Sequence, residues 1–176
     1  MTTRRYREAV SPALRRVLIV VLVLFAVLVA DSAYLGTITF LEWFRGISLQ
    51  GAVYQYVFLA HLALGFLLIP PALVYSIGHL RRALNRPNRL AVRLGLALFV
   101  TTLLLLGSGV LLTRGLPLFE VRHPDTRMLI YWLHVGTPFV AAWLFVLHRL
   151  AGKPIRWASG AAILSLSVLI SLAGAW

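Results

Sequence analysis

Long apolar runs separated by short clusters of arginine dominate the chain. Five stretches are long enough to cross about 30 Å of hydrocarbon as helices: Val17–Leu35, Ala52–Leu80, Leu94–Leu112, Met128–Leu150 and Ala158–Trp176. Runs apolar on every side have to satisfy their backbone polar groups internally, and a helix does so within the segment. The expected fold class is an all-α integral membrane protein, a transmembrane helix bundle with five spans. Basic residues precede the first run, as they would in a signal peptide. Val17–Ala30 is fourteen apolar residues that continue into Tyr34, Leu35 and Gly36, which reads as a retained anchor. The expected organisation is one membrane domain over residues 1–176: a basic N-terminus at 1–16, a four-helix core at 17–156 and an additional span at 157–176.

The connections have patterns of their own. In Thr37–Gln50, Phe40, Leu41, Trp43, Phe44 and Ile47 interleave with Glu42, Arg45 and Ser48. This predicts a short helix lying in the interface, either an aromatic belt at headgroup depth or one wall of a quinone pocket. Arg114–Arg127, with Pro117, Pro124 and mixed charges, predicts an ordered outer cap. Pro70 and Pro71 fall inside the second run and Pro138 inside the fourth. Each removes a backbone donor, so bends or local unwinding are expected there.

Composition agrees with a membrane chain: 60% hydrophobic residues and 12% charged ones, with a mean hydropathy of +0.88. The charges fix an orientation. Arg4, Arg5, Arg7, Arg15 and Arg16, then Arg81, Arg82, Arg86, Arg89 and Arg93, then Arg149, Lys153 and Arg156 share one side. The opposite side holds Arg45, Arg114, Arg122 and Arg127 with Asp31, Glu42, Glu120 and Asp125. The positive-inside rule then places the N-terminus in the cytoplasm and Trp176 outside, as in a bacterial cytoplasmic membrane. The net charge of +12 is topology signal and attraction to anionic lipid, not a nucleic-acid surface. There are no cysteines, which excludes disulfides, iron–sulfur clusters and covalently attached c-type haem within the chain.

Four of the five histidines lie inside apolar runs, as two pairs: His61 with His79, and His134 with His148. At about 100° per residue, eighteen residues return His79 to the azimuth of His61, and fourteen leave His148 about 40° from His134. The second and fourth runs point the same way, so His61 and His134 share the outer depth and His79 and His148 the inner. Ionisable groups at such depths mark function. Two stacked haems, each held by one histidine from either helix, account for the pairing in both depth and facing. A proton relay in a transporter or channel component is the alternative, and a haem-free scaffold is a third. Zinc lacks the further ligands it needs at these depths. His123, before Pro124, reads as a surface residue. Gly95 and Gly109, fourteen residues apart in the third run, would give each macrocycle a flat wall, with Gly65 and Gly136 as further small neighbours of the outer site. Arg114, Arg122 and Arg127 outside, and Arg81, Arg82 and Arg149 inside, are candidates for pairing with haem propionates.

From Ala52 to Arg156 the chain resembles cytochrome b. His134-Val-Gly-Thr-Pro138…His148, followed by Arg149 and Gly152-Lys153-Pro154-Ile155, is similar to that family's fourth helix. His61…Gly65…His79 with Arg81 and Arg82 is similar to its second, and the Gly95/Gly109 pair to its third. The resemblance implies two non-covalent bis-histidine b-type haems that pass electrons between a quinone and a periplasmic redox protein such as a c-type cytochrome. Only one short run follows the fourth, so a relay subunit inside a larger respiratory or photosynthetic complex is expected. The smaller di-haem subunits of formate dehydrogenases, hydrogenases and nitrate reductases do that job with differently placed ligands. The second departure is spacing: His61 and His79 are about 27 Å apart along an ideal helix, and His134 and His148 about 21 Å. A bend or unwound step at Pro70-Pro71 is expected to absorb the difference of about 6 Å.

Overall fold

A computed structural model of the chain describes residues 10–116, 119, 121–152 and 157–174. Five helices follow one another: α1 (Pro12–Arg45), α2 (Ala52–Ala83), α3 (Arg89–Leu112), α4 (Pro124–Leu150) and α5 (Trp157–Gly174). There are no strands among the described residues. The first four are each long and apolar enough to cross a membrane, so the protein is a multi-pass membrane protein. The fifth, 18 residues long, occupies the last apolar stretch. Arg4, Arg5, Arg7, Pro117, Glu120, the segment 153–156 and Trp176 lie outside the described residues.

Two features differ from the sequence reading, one a helix boundary and one inside a helix. The α1 helix runs on to Arg45, so the aromatic segment after Thr37 is a continuation of the span and not a separate surface helix. The hydroxyls of Thr37 and Thr39 donate to the carbonyls of Ala33 and Leu35, at 2.7 and 2.9 Å, inside the helical ladder and without breaking it. Termination comes at Gly46, with φ of 66°, where glycine's freedom permits the left-handed turn. Glu42 closes that turn: it accepts from the Leu49 amide at 2.8 Å and from the Gln50 side chain at 2.9 Å. The second difference is at Pro70-Pro71, where α2 keeps its helical assignment without interruption. The expected local unwinding is not found. A proline withholds only its own donor, so Phe66 and Leu67 lose their partners four residues on while the turns persist.

The chain divides into two compact units. One comprises the residues up to Val17 with Ala72–Ile155; α3 and α4 form an antiparallel hairpin within it. The Asn88 side chain caps α3 by accepting from the Ala91 amide at 3.0 Å, and donates to the Ala151 carbonyl at 2.7 Å, tying the two helix ends together. At the opposite end Arg127 donates to the Leu112 carbonyl at 2.8 Å, satisfying an acceptor that the helix terminus leaves open. The most buried residues of the two helices are small: Thr101 and Ser108 on α3, Thr137 and Ala141 on α4. Small residues let membrane helices approach closely, and the Thr101, Ser108 and Thr137 hydroxyls donate to their own helices' carbonyls. The first turn of α1 also belongs to this unit, with Leu14 packed so that a Cβ on Gly78 would lie 2.9 Å from it. The other unit comprises Leu18–Pro71 and Arg156–Trp176, with Leu28, Ala30, Ile38 and Leu68 among its buried residues.

Candidate functional site

The hairpin positions two histidines by the same device, used twice. His148 lies against Gly95, where a Cβ would come within 3.0 Å of the ring's Cε1, and its Nδ1 is 3.0 Å from the Ala91 carbonyl. His134 lies against Gly109, with a Cβ at 3.1 Å from Cε1, and its Nδ1 is 3.3 Å from the Leu105 carbonyl. In each case the carbonyl is four residues before the glycine. Fourteen residues separate the glycines on α3 and fourteen the histidines on α4, so an antiparallel pair in one register matches both. A carbonyl oxygen only accepts, so each Nδ1 carries the proton and donates, which leaves the lone pair on Nε2. At His134 the Ser108 hydroxyl joins in, 3.1 Å from Nδ1 while donating to the same Leu105 carbonyl at 2.9 Å. Ligating histidines are oriented in this way by the partner of the other ring nitrogen.

The inner pair meets within the same unit. The His79 and His148 rings have their centres 6.2 Å apart, with planes at 88°. Tyr75, one turn before His79, stacks on it with centres 5.5 Å apart and planes at 7°, fixing that ring from the side. Arg149 follows His148 in the last turn of α4, and its charge acts on the Tyr75 hydroxyl. Arg81 and Arg82, in the last turn of α2, are exposed.

His61 belongs to the other unit, and its neighbour was not anticipated. Its Nδ1 is 3.7 Å from Oδ2 of Asp31 on α1, and the two side chains are 26% and 11% exposed. The charge pattern alone groups Asp31 with the outer-side acids. It lies fourteen residues beyond Val17, about 21 Å along the helix and within the thickness of the hydrocarbon.

Other candidate residues divide by surroundings. Arg114, Arg122 and Arg127 line one cavity of about 280 Å³ with Val121, bringing the three outer arginines together. A second, open cavity of about 460 Å³ is lined by Gln50, Tyr54, Gln55, Phe58 and Leu59. A Cβ on Gly65 or Gly136 would meet nothing within 4 Å, so packing within the chain does not call for glycine at either position. His123 is exposed beside Asp125, 3.9 Å away, as a surface residue is expected to be. Among the described residues no three His, Cys, Asp or Glu side chains converge as metal ligands. The sequence alone did not reveal Asp31, Tyr75, Ser108 or the two carbonyls; the matching fourteen-residue spacings were the visible signal for the carbonyls.

Compared with protein-family models, curated proteins and solved structures, the chain matches none.

Proposed function

We propose that this protein is a membrane electron-transfer subunit that binds two b-type haems non-covalently between paired histidines. The inner pair carries the reading. Two imidazoles on opposite faces of one iron have ring centres roughly 6 Å apart, given metal–nitrogen bonds of about 2.0 Å. The 6.2 Å between His79 and His148 fits that span. The hydrogen bonds at Nδ1 of His148 and His134 support it by leaving Nε2 as the ligand atom. A single pair of histidines such as His79 and His148 suits a macrocycle, which needs only two axial donors from the protein, better than zinc, which needs three or four.

His79 and His148 are the proposed inner ligands, His61 and His134 the outer ones. A bound haem supplies one-electron chemistry. The chain orients the imidazoles through Ala91, Leu105 and Ser108, keeps the rings in a low-dielectric span, and offers arginines to carboxylates. Arg149 is the inner candidate for a propionate, and the cavity of Arg114, Arg122 and Arg127 the outer one. The amides and hydroxyl of Gln50, Gln55 and Tyr54 beside Phe58 suit the carbonyls and ring of a quinone. The arginine distribution supports a bacterial cytoplasmic membrane with the N-terminus inside. Partners are then other subunits of a quinone-linked complex and a periplasmic redox protein. The alternative, a proton-coupled transporter, draws support from the Asp31–His61 pair and requires a colourless protein. A reduced-minus-oxidised visible spectrum tests the reading. Sharp b-type bands at about two haems per chain are expected, and haem-free protein at every yield would overturn it.

A further inference from the structure

The groups that face Nδ1 of His61, His134 and His148 are not alike, and one of them differs in kind. The Nδ1 atoms of His134 and His148 face neutral backbone carbonyls. The Nδ1 of His61 faces a carboxylate, Oδ2 of Asp31, at 3.7 Å. That oxygen is buried and accepts no hydrogen bond. A carboxylate within a span is costly unless something nearby stabilises it, and the imidazole of His61 lies within 4 Å of it. The separation exceeds a hydrogen bond of about 2.7–3.2 Å, and a rotation that moves the ring by roughly 0.5–1 Å closes it. Asp31 and His61 belong to the same unit, so their proximity is a property of that unit alone.

We propose that Asp31 is the positioning residue of His61, accepting from Nδ1–H and presenting Nε2 as the outer axial ligand; the inference rests on the haem reading above. A carboxylate does more than fix the tautomer. Its charge, set against the ring nitrogen opposite the metal-binding one, raises the basicity of the ring. A more basic axial ligand stabilises the oxidised, more positive iron, so Asp31 sets the outer haem at a lower potential than a carbonyl partner would. The two haems thereby differ in potential through second-sphere chemistry, with no difference in ligand type.

The test is a redox titration of the full-length, haem-loaded protein, followed in the visible spectrum, for the wild type, Asp31→Asn and Asp31→Glu. Asn retains the shape and an accepting oxygen but lacks the charge. The outer haem of Asp31→Asn is expected to titrate higher, by about a tenfold change in its reduced-to-oxidised ratio at fixed potential, or about 59 mV for one electron. The inner haem is expected to stay in place, and Asp31→Glu to restore most of the shift. Loss of the outer haem alone from Asp31→Asn also supports the proposal, because second-sphere substitutions weaken metal binding about 10–100-fold. Unchanged potentials for both haems would overturn it, and so would equal shifts of both, which report only a general change in charge. A wild-type protein without haem would overturn the haem reading and this inference with it. Wild-type haems that ignore Asp31 would overturn the inference alone.

Discussion

Gly95→Ala separates a glycine needed for its imidazole from one that is merely tolerated in a helix. The added Cβ would sit 3.0 Å from Cε1 and 3.3 Å from Nδ1 of His148. Carbon atoms rest at about 3.5–4.0 Å, so the ring has to retreat by roughly half an ångström. That stretches the 3.0 Å contact from Nδ1 to the Ala91 carbonyl to about the limit of a hydrogen bond. Losing this bond costs about 1 kcal/mol, and replacing a helical glycine by alanine returns about as much. Thermal stability of the haem-free chain is therefore expected to change little. Binding is not: a displaced ligand is expected to lower affinity for the inner haem about 10–100-fold. Gly107→Ala is the control, since it makes the same exchange in the same helix with nothing within 4 Å of the new Cβ. The assay is haem per chain after detergent purification, with thermal unfolding alongside. Equal inner-haem occupancy in Gly95→Ala and Gly107→Ala would refute the reasoning.

Single-ligand variants are expected to separate the haems: His79→Ala or His148→Ala removes the inner one and spares the outer, and His61→Ala or His134→Ala does the reverse, read from spectral amplitude. Retention of both after His148→Ala would reject the assignment. Arg149→Gln removes the positive charge next to His148 in the chain and is expected to lower the inner haem's midpoint potential in a redox titration, leaving the outer one in place. Asn88→Ala removes the α3 cap and the bond to Ala151, and is expected to destabilise the hairpin by about 1–2 kcal/mol in a denaturation assay. Ser108→Ala leaves the Leu105 carbonyl to His134, so its effect on outer-haem content is expected to be smaller than that of Gly109→Ala.

Helix positions were legible because apolar runs of membrane length have one stable form, and all five observed helices overlap the five runs. Ends were less legible. The first span reads as ending at Leu35, yet its helix continues to Arg45, with the hydroxyls of Thr37 and Thr39 accommodated by bonds to the Ala33 and Leu35 carbonyls. Pro70 and Pro71 read as a bend or an unwound step, and the helical turns persist through them, because a helix tolerates missing donors. Of the two forms in which this step is expected to absorb the longer His61–His79 spacing, a bend or an unwound turn, the unwound turn is absent. At the candidate site, the fourteen-residue spacings on α3 and α4 were visible, and the glycines were assigned to a macrocycle. In the fold the imidazoles of His148 and His134 rest against them, a contact that depends on interhelical register, which one sequence does not specify. Asp31 was missed for a related reason: a residue near a predicted span end reads as an interfacial acid, and only the longer α1 with His61 beside it shows otherwise.

Low-temperature electron paramagnetic resonance of the oxidised, purified protein tests the central claim most directly, because it reports the axial ligands of each iron. Two low-spin ferric signals of the paired-imidazole kind are expected, with one lost in His148→Ala. High-spin iron alone, a single signal unaffected by His148→Ala, or no haem iron would contradict the account.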